Sequence, residues 1–233
     1  MRIIPVLDLK AGQVVRAQQG RRDSYRPIET PLSGSADPVA VARGLRVLHP
    51  FSTFYIADID AIEGRSPNDE AVALLAAMPE APELWLDAGF SDESQLAAML
   101  ARPSFHAVLG SESQRDTAIL CRFKGHPRLI LSLDFFQDGF RGARSLLEEP
   151  DLWPETVIVM TLARVGAASG PDFSTLAEIK AKAGGRMLVA AGGIRDEADI
   201  RELAALGIAA ALVSTSLHNG SLTAETIAAL ARA

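Results

Sequence analysis

The sequence predicts an α/β fold: a (β/α)8 TIM barrel built from two half-barrels, with a long first βα loop. Short β-rich apolar runs alternate with longer amphipathic ones from end to end, as a parallel sheet with crossover helices requires. Dividing 233 residues among eight such units leaves about 29 each, close to the spacing of a closed barrel. The chain also repeats itself at a fixed offset. Ala88-Gly89-Phe90-Ser91-Asp92-Glu93 matches Gly192-Gly193-Ile194-Arg195-Asp196-Glu197, 104 residues on.

Strands are expected at Ile3–Leu7, Phe54–Ala57, Leu84–Leu86, His106–Leu109, Leu129–Leu133, Thr156–Met160, Met187–Ala190 and Ala209–Val213. Each is short and continuously apolar, as a strand buried on both faces should be. Helical spacing falls between them, at Val41-Ala42, Leu45 and Leu48, and at Leu176, Ile179-Lys180 and Ala183. The offset of 104 holds for Pro67-Asn68 on Pro171-Asp172, and for Val108-Leu109-Gly110-Ser111 on Leu212-Val213-Ser214-Thr215. Asp8 and Asp134, after the first and fifth strands, are instead 126 apart. The extra 22 residues fit an insertion in the first loop, Gly12 to Ala36. A loop that long, without secondary structure of its own, is expected to be a lid or binding loop. A doubly wound open sheet would carry a Gly-rich turn after its first strand, where this chain has Asp8-Leu9-Lys10.

Composition bounds the function. At 48% hydrophobic and 22% charged, the chain is ordinary for a globular protein and reads as one domain over residues 1–233. Cys121 is the only cysteine; no internal disulfide is possible and a cytoplasmic home is expected. It falls in an apparent helix, Ala118 to Phe123, where packing is the expected role. The opening Met1-Arg2-Ile3-Ile4-Pro5 is too short for a signal h-region. No apolar stretch approaches the roughly 18 residues of a membrane span. A net charge of −6 argues against nucleic-acid or anionic-membrane partners. His49, His106, His126 and His218 lack ligand spacing, so no metal site is expected. No cofactor is implied, and a homo-oligomer is compatible with the sequence.

The chemistry is expected at the barrel mouth. Asp8 and Asp134 follow matched strands that lie opposite one another in a barrel of two halves. Both carboxylates then project over the cavity at the C-terminal rim, where barrel active sites lie. Such a pair can divide general acid from general base. A strand-end Asp can also merely cap its loop, but the matched pair favours chemistry. Gly192, Gly193 and Arg195 follow the seventh strand, and Ser214 and Thr215 follow the eighth. Backbone N–H groups there can approach an anion closely, so a small phosphorylated substrate is expected at these residues. The first-half counterpart differs, because Asp87 precedes Ala88-Gly89 and should repel a phosphate. One phosphate pocket is therefore expected, unless Asp87 turns outward or is satisfied as a cap. Arg16, Asp58, Asp87, Gly110, Ser111 and Arg164 are further substrate-binding candidates, though several also fit structural roles.

The run Ile3-Ile4-Pro5-Val6-Leu7-Asp8-Leu9-Lys10-Ala11-Gly12-Gln13-Val14-Val15-Arg16 resembles the opening of the histidine-biosynthesis barrels. These comprise the phosphoribosylformimino-aminoimidazole carboxamide ribotide isomerase and its cyclase relative. Ala57-Asp58-Ile59-Asp60, Leu133-Asp134 and Ala191-Gly192-Gly193-Ile194-Arg195 extend the resemblance over essentially the whole chain. It implies an Amadori rearrangement with Asp8 as base and Asp134 as acid, on a substrate with a phosphate in each half-barrel. The first-half loop departs from the family's Gly-rich pattern, and Ser214 stands where the family has glycine. Gly20-Arg21-Arg22-Asp23-Ser24-Tyr25-Arg26-Pro27-Ile28 is similar to the loop of a divergent group of isomerase-related proteins of unsettled activity. Some of that group belong to organisms making methanofuran- or tetrahydromethanopterin-type one-carbon coenzymes. The leading expectation is thus an isomerase acting on a substrate with one phosphate, in one-carbon coenzyme metabolism. The alternatives are the authentic histidine-pathway isomerase and a non-catalytic ligand-binding barrel.

Overall fold

The computed structural model describes residues 1–167 and 169–232. Its barrel strands are β1 (Arg2–Lys10), β2 (Thr53–Asp58), β3 (Glu83–Asp87), β4 (Phe105–Gly110), β5 (Leu129–Phe136), β6 (Thr156–Thr161), β7 (Met187–Ala191) and β8 (Ala210–Val213). Each contains most or all of an expected strand. They pair in parallel in chain order, and β8 returns to β1 through Arg2↔Ala210 to Pro5↔Val213. That last pairing closes the sheet and removes its edges. The helices α1 (Pro38–Leu48), α2 (Asp69–Ala76), α3 (Glu93–Leu100), α4 (Ala118–Arg122), α5 (Ser145–Glu148), α6 (Phe173–Lys182), α7 (Glu197–Ala205) and α8 (Ala224–Arg232) each follow the strand of the same number.

Two buried clusters divide the core by the pleat. Ile4, Tyr55, Trp85, Val108, Ile130, Ile158, Val189, Ala210 and Leu212 fill the barrel interior. Their strand neighbours Ile3, Phe54, Leu84, Ala107, Leu129, Val157 and Leu188 pack outward against the helices. Because side chains alternate along a strand, the parity of a residue number decides its side. Residues 4, 6 and 8 face inward on β1; so do 85 and 87 on β3, and 130, 132 and 134 on β5. On β2 the inward residues are Tyr55 and Ala57, which sends Asp58 outward.

The two halves repeat in detail. Asp92 and Asp196, 104 residues apart, both cap helices, accepting backbone N–H bonds from Gln95 and Asp199 respectively. Gly89 and Gly193 both adopt positive φ, 65° and 82°, which glycine permits without a Cβ penalty.

Loop one corrects an expectation, since it has structure of its own. Gln13–Arg16 pairs antiparallel with the end of β1, and Arg26–Pro27 adds to it. The connecting Ala11 and Gly12 have φ of 50° and 75°, the doubly positive pattern of a type I′ hairpin. Their amides are held at 2.6 Å by Asp60 and at 2.7 Å by Asn68. The loop then crosses the barrel mouth. Gln19 N–H donates to the Val165 carbonyl beyond β6, and Arg22 pairs with Glu112 beyond β4. Cys121 is exposed on α4 rather than packed.

Asp58, expected to bind substrate, is a cap instead. Its oxygens accept from Ala61 N–H and from both the backbone and side-chain nitrogens of Asn68. Asp58→Ala should lower unfolding stability by about 1–3 kcal/mol, through loss of the cap and the stranded Asn68 N–H. Urea denaturation would measure it; a change within error would refute this role.

Candidate active site

Inward parity places three carboxyls, those of Asp8, Asp87 and Asp134, at the C-terminal ends of their strands. All three are buried and line one cavity of about 280 Å³ at the barrel mouth. β1 and β5 are opposite in the closed strand order, so Asp8 and Asp134 approach the cavity from opposing walls. Asp87 and Asp134 flank Gly110: a Cβ there would stand 3.3 Å from Oδ2 of each.

Their surroundings separate the three. Ser132 Oγ donates to Asp134 Oδ1 at 2.6 Å and Glu112 N–H to Oδ2 at 3.1 Å, while Ser111 Oγ lies 3.2 Å from Oδ2. These contacts fix the Asp134 rotamer. Burial and the charge of Asp87 push its carboxyl up to about 7 despite those bonds. Asp8 has no hydrogen-bond partner among the described residues. Burial raises it to about 7, against the pull of the Arg22 guanidinium. Asp87 accepts Gly89 N–H at 3.1 Å and the Tyr55 hydroxyl at 3.3 Å; burial lifts it to about 6. At neutral pH Asp8 and Asp134 are thus poised between their two states, which acid–base work demands. Arg22 favours the ionised form of Asp8, and Asp87 favours the protonated form of Asp134.

The opposite end of the cavity is built from backbone. Gly192, Gly193, Ser214 and Thr215 line it. A Cβ at Gly193 would meet the Gly170 carbonyl oxygen at 2.2 Å, so only glycine lets the chain pass there. Thr215 opens the short helix Thr215–His218, whose first amides have no intrahelical acceptor. Arg16 also lines the cavity and is the charge felt by His218, which burial chiefly and Arg16 secondarily lower to about 4.

Four other expected residues sit differently. Arg195 lines the cavity, but its backbone N–H and two of its guanidinium nitrogens, Nε and Nη2, donate to buried Asp199 at 2.7–2.9 Å. Ser111 is fully buried beneath Asp134, and its hydroxyl contacts the Arg141 carbonyl at 2.7 Å and Asp134. Gly110 lies below the two carboxylates and outside the cavity lining. Arg164 is also outside that lining, with a guanidinium nitrogen 3.4 Å from the Ser169 carbonyl. Asp87 does not turn outward, because its carboxylate lies in the cavity wall, but it is satisfied as a local cap through the Gly89 N–H.

Sequence reasoning did not single out Arg22, Tyr25, Tyr55 or Glu112, all of which line the cavity. Parity on β2 would have flagged Tyr55. Arg22 and Tyr25 arrive from the inserted loop, and no local pattern marks their destination.

A family model described as histidine biosynthesis protein matches residues 2–223. The chain is 31% identical to the 1-(5-phosphoribosyl)-5-((5-phosphoribosylamino)methylideneamino)imidazole-4-carboxamide isomerase of Moorella thermoacetica, covering 99% of this chain and 98% of that one. The isomerase of the same description from Thermus thermophilus is 32% identical, over 95% and 96%. An uncharacterized protein of Methanocaldococcus jannaschii is 27% identical, over 97% of each chain.

Three carboxyls held above their ordinary range make a pH prediction. The unfolded chain releases these protons near pH 4, whereas the fold keeps them to about 6 for Asp87 and about 7 for Asp8 and Asp134. The folded state therefore binds more protons between those values, and stability falls as pH rises through that window. The thermal unfolding midpoint should drop between about pH 4 and pH 7, less steeply for Asp87→Asn. A flat profile across that interval would contradict the assignment.

Proposed function

This chain belongs to the histidine biosynthesis protein family, and from that premise we propose that it is an aldose–ketose isomerase of the Amadori type. The observation that carries the reading is the pair Asp8 and Asp134, buried on opposing walls of one cavity with carboxyls near 7. In a closed N-substituted phosphoribosylamine, Asp134 gives its proton to the ring oxygen as the C1–O bond breaks. The nitrogen lone pair forms a C1–N double bond. Asp8 then takes the C2 proton, leaving an enaminol. Asp8 returns that proton to C1 as the C2 hydroxyl loses its own to Asp134, and the aminoketose results. The pulls of Arg22 on Asp8 and of Asp87 on Asp134 support this direction of roles. Gly192, Gly193, Ser214 and Thr215 are the proposed phosphate holders, through backbone amides and hydroxyls.

Two substrates are in view. Identity over almost the whole chain to isomerases named for the bis-phosphoribosyl carboxamide favours that compound and a place in histidine biosynthesis. The names of these relatives point there, not to the one-carbon coenzyme metabolism that loop one suggested. Asp87 favours a second reading, a related substrate with a single phosphate, because a carboxylate occupies the first-half loop.

Asp8→Asn and Asp134→Asn should each lower kcat about 10²–10⁴-fold, with KM changed far less. Assay of the carboxamide and rescue of a histidine auxotroph test the first substrate directly. Full turnover by either variant would overturn the acid–base roles. Failure of the wild-type chain on the carboxamide would remove the first substrate and leave the second.

A further inference from the structure

The cavity is electrically polarised along the line joining the two half-barrels. At the second-half end stand Gly193, Ser214 and Thr215, with Arg16 near His218. At the first-half end stand Asp87, Asp134 and Glu112, facing Asp8. The cation on the first-half side, Arg22, is already paired with Glu112, which leaves three carboxyls without an ion-pair partner among the described residues.

The 104-residue repeat shows what changed. Asp87 occupies the inward position that Ala191 holds in the second half. Its Oδ1 accepts the Gly89 N–H at 3.1 Å. Gly89 is the counterpart of Gly193, so the carboxylate has taken an amide that an anion would need. Ala88, Gly89 and Gly110, the counterparts of Gly192, Gly193 and Ser214, are all absent from the cavity lining. The first-half loop is thus closed to a phosphate by geometry as well as by charge. Asp8 supplies an independent sign that the basin is built to receive a polar group. Only 9% exposed, its carboxylate faces the cavity with no hydrogen-bond partner among the described residues.

Resting on the isomerase reading and taking its second substrate, we propose that Asp87 is a specificity residue that receives a cationic nitrogen. The substrate class is a phosphomonoester with one phosphate at Gly193, Ser214 and Thr215 and a protonated amine, amidine or guanidine at the Asp87 end. A charge-assisted bond between that nitrogen and Asp87 is shorter and stronger than one to a neutral hydroxyl. A second phosphate at the same end would meet three carboxyls in a desolvated space.

Three probes of equal chain length test this by calorimetry on the full chain: 1-amino-1-deoxyribitol 5-phosphate, ribitol 5-phosphate and ribitol 1,5-bisphosphate. The amine should bind about tenfold or more tighter than the alcohol, and the bisphosphate weakest. In Asp87→Asn the amine-to-alcohol ratio should fall toward one. Equal or tighter binding of the bisphosphate by the wild-type chain overturns the proposal. So does an amine preference unchanged in Asp87→Asn, or no binding of any probe at millimolar concentration. If Asp87→Asn does not fold, the wild-type ranking decides alone. Turnover plays no part in these readouts, so loss of the isomerase reading would appear separately, as unimpaired Asp8→Asn and Asp134→Asn variants.

Discussion

A strand buried on both faces can send each side chain in only one direction, and everything at this barrel mouth follows from that alternation. One row of each strand must fill the interior and the other must meet the helices. The interior row is apolar at mid-barrel, with Ile4, Trp85, Val108, Ile130 and Val189 closing the centre. Only above that plug can the same row turn polar. Asp87 is the next inward position after Trp85, while Asp8 and Asp134 come one inward position further along, beyond Val6 and Ser132, so all three share a cavity floored by the core. A one-residue slip in any of these strands would exchange the carboxylate for a leucine or alanine and expose the core row.

That constraint also separates what could be read from the chain from what could not. Strand positions were recoverable because doubly buried strands are short apolar runs, and all eight contain an observed barrel strand's centre. The opposition of Asp8 and Asp134 followed from the repeat once eight units were counted. Strand-end position alone suggests a substrate role for Asp58, but parity decides otherwise; with Tyr55 inward, residue 58 must face out, where it caps the next turn. Arg195, which does line the cavity, is engaged locally for a different reason. Its partner Asp199 lies one helical turn further on, an i, i+4 spacing that is visible in the sequence. Arg22 and Glu112 meet across 90 residues, and no local signal in the chain announces such a pair.

Burying three carboxyls around one small space is costly, and the structure offsets the cost unevenly. Asp134 is held by a serine hydroxyl and a backbone amide, Asp87 by one amide and a tyrosine hydroxyl, and Asp8 by no hydrogen bond among the described residues. An arrangement selected for stability alone would satisfy all three or replace them with apolar groups. The leftover cost is what raises the carboxyls toward neutrality, and a raised carboxyl is useful only where protons are exchanged. The electrostatic asymmetry between Asp8 and Asp134 then comes from their neighbours, a guanidinium for one and a carboxylate for the other.

Both neighbours are departures from twofold symmetry, and they converge on one end of the cavity. Arg22 belongs to the insertion that breaks the 104-residue offset, and Asp87 replaces the small residue that the offset would place there. Had only Asp87 changed, four carboxyls would have faced each other with no cation among them. Had only the loop been inserted, Arg22 would have added positive charge beside an intact anion loop. Together they convert a symmetric pair of half-barrels into a site with two unlike ends. The loop supplies enough positive charge to hold Glu112 and to favour the ionised form of Asp8, and it leaves Asp87 without an ion-pair partner among the described residues. The residual negative charge at that end is therefore a property of the two changes in combination, and it is the feature a substrate must complement.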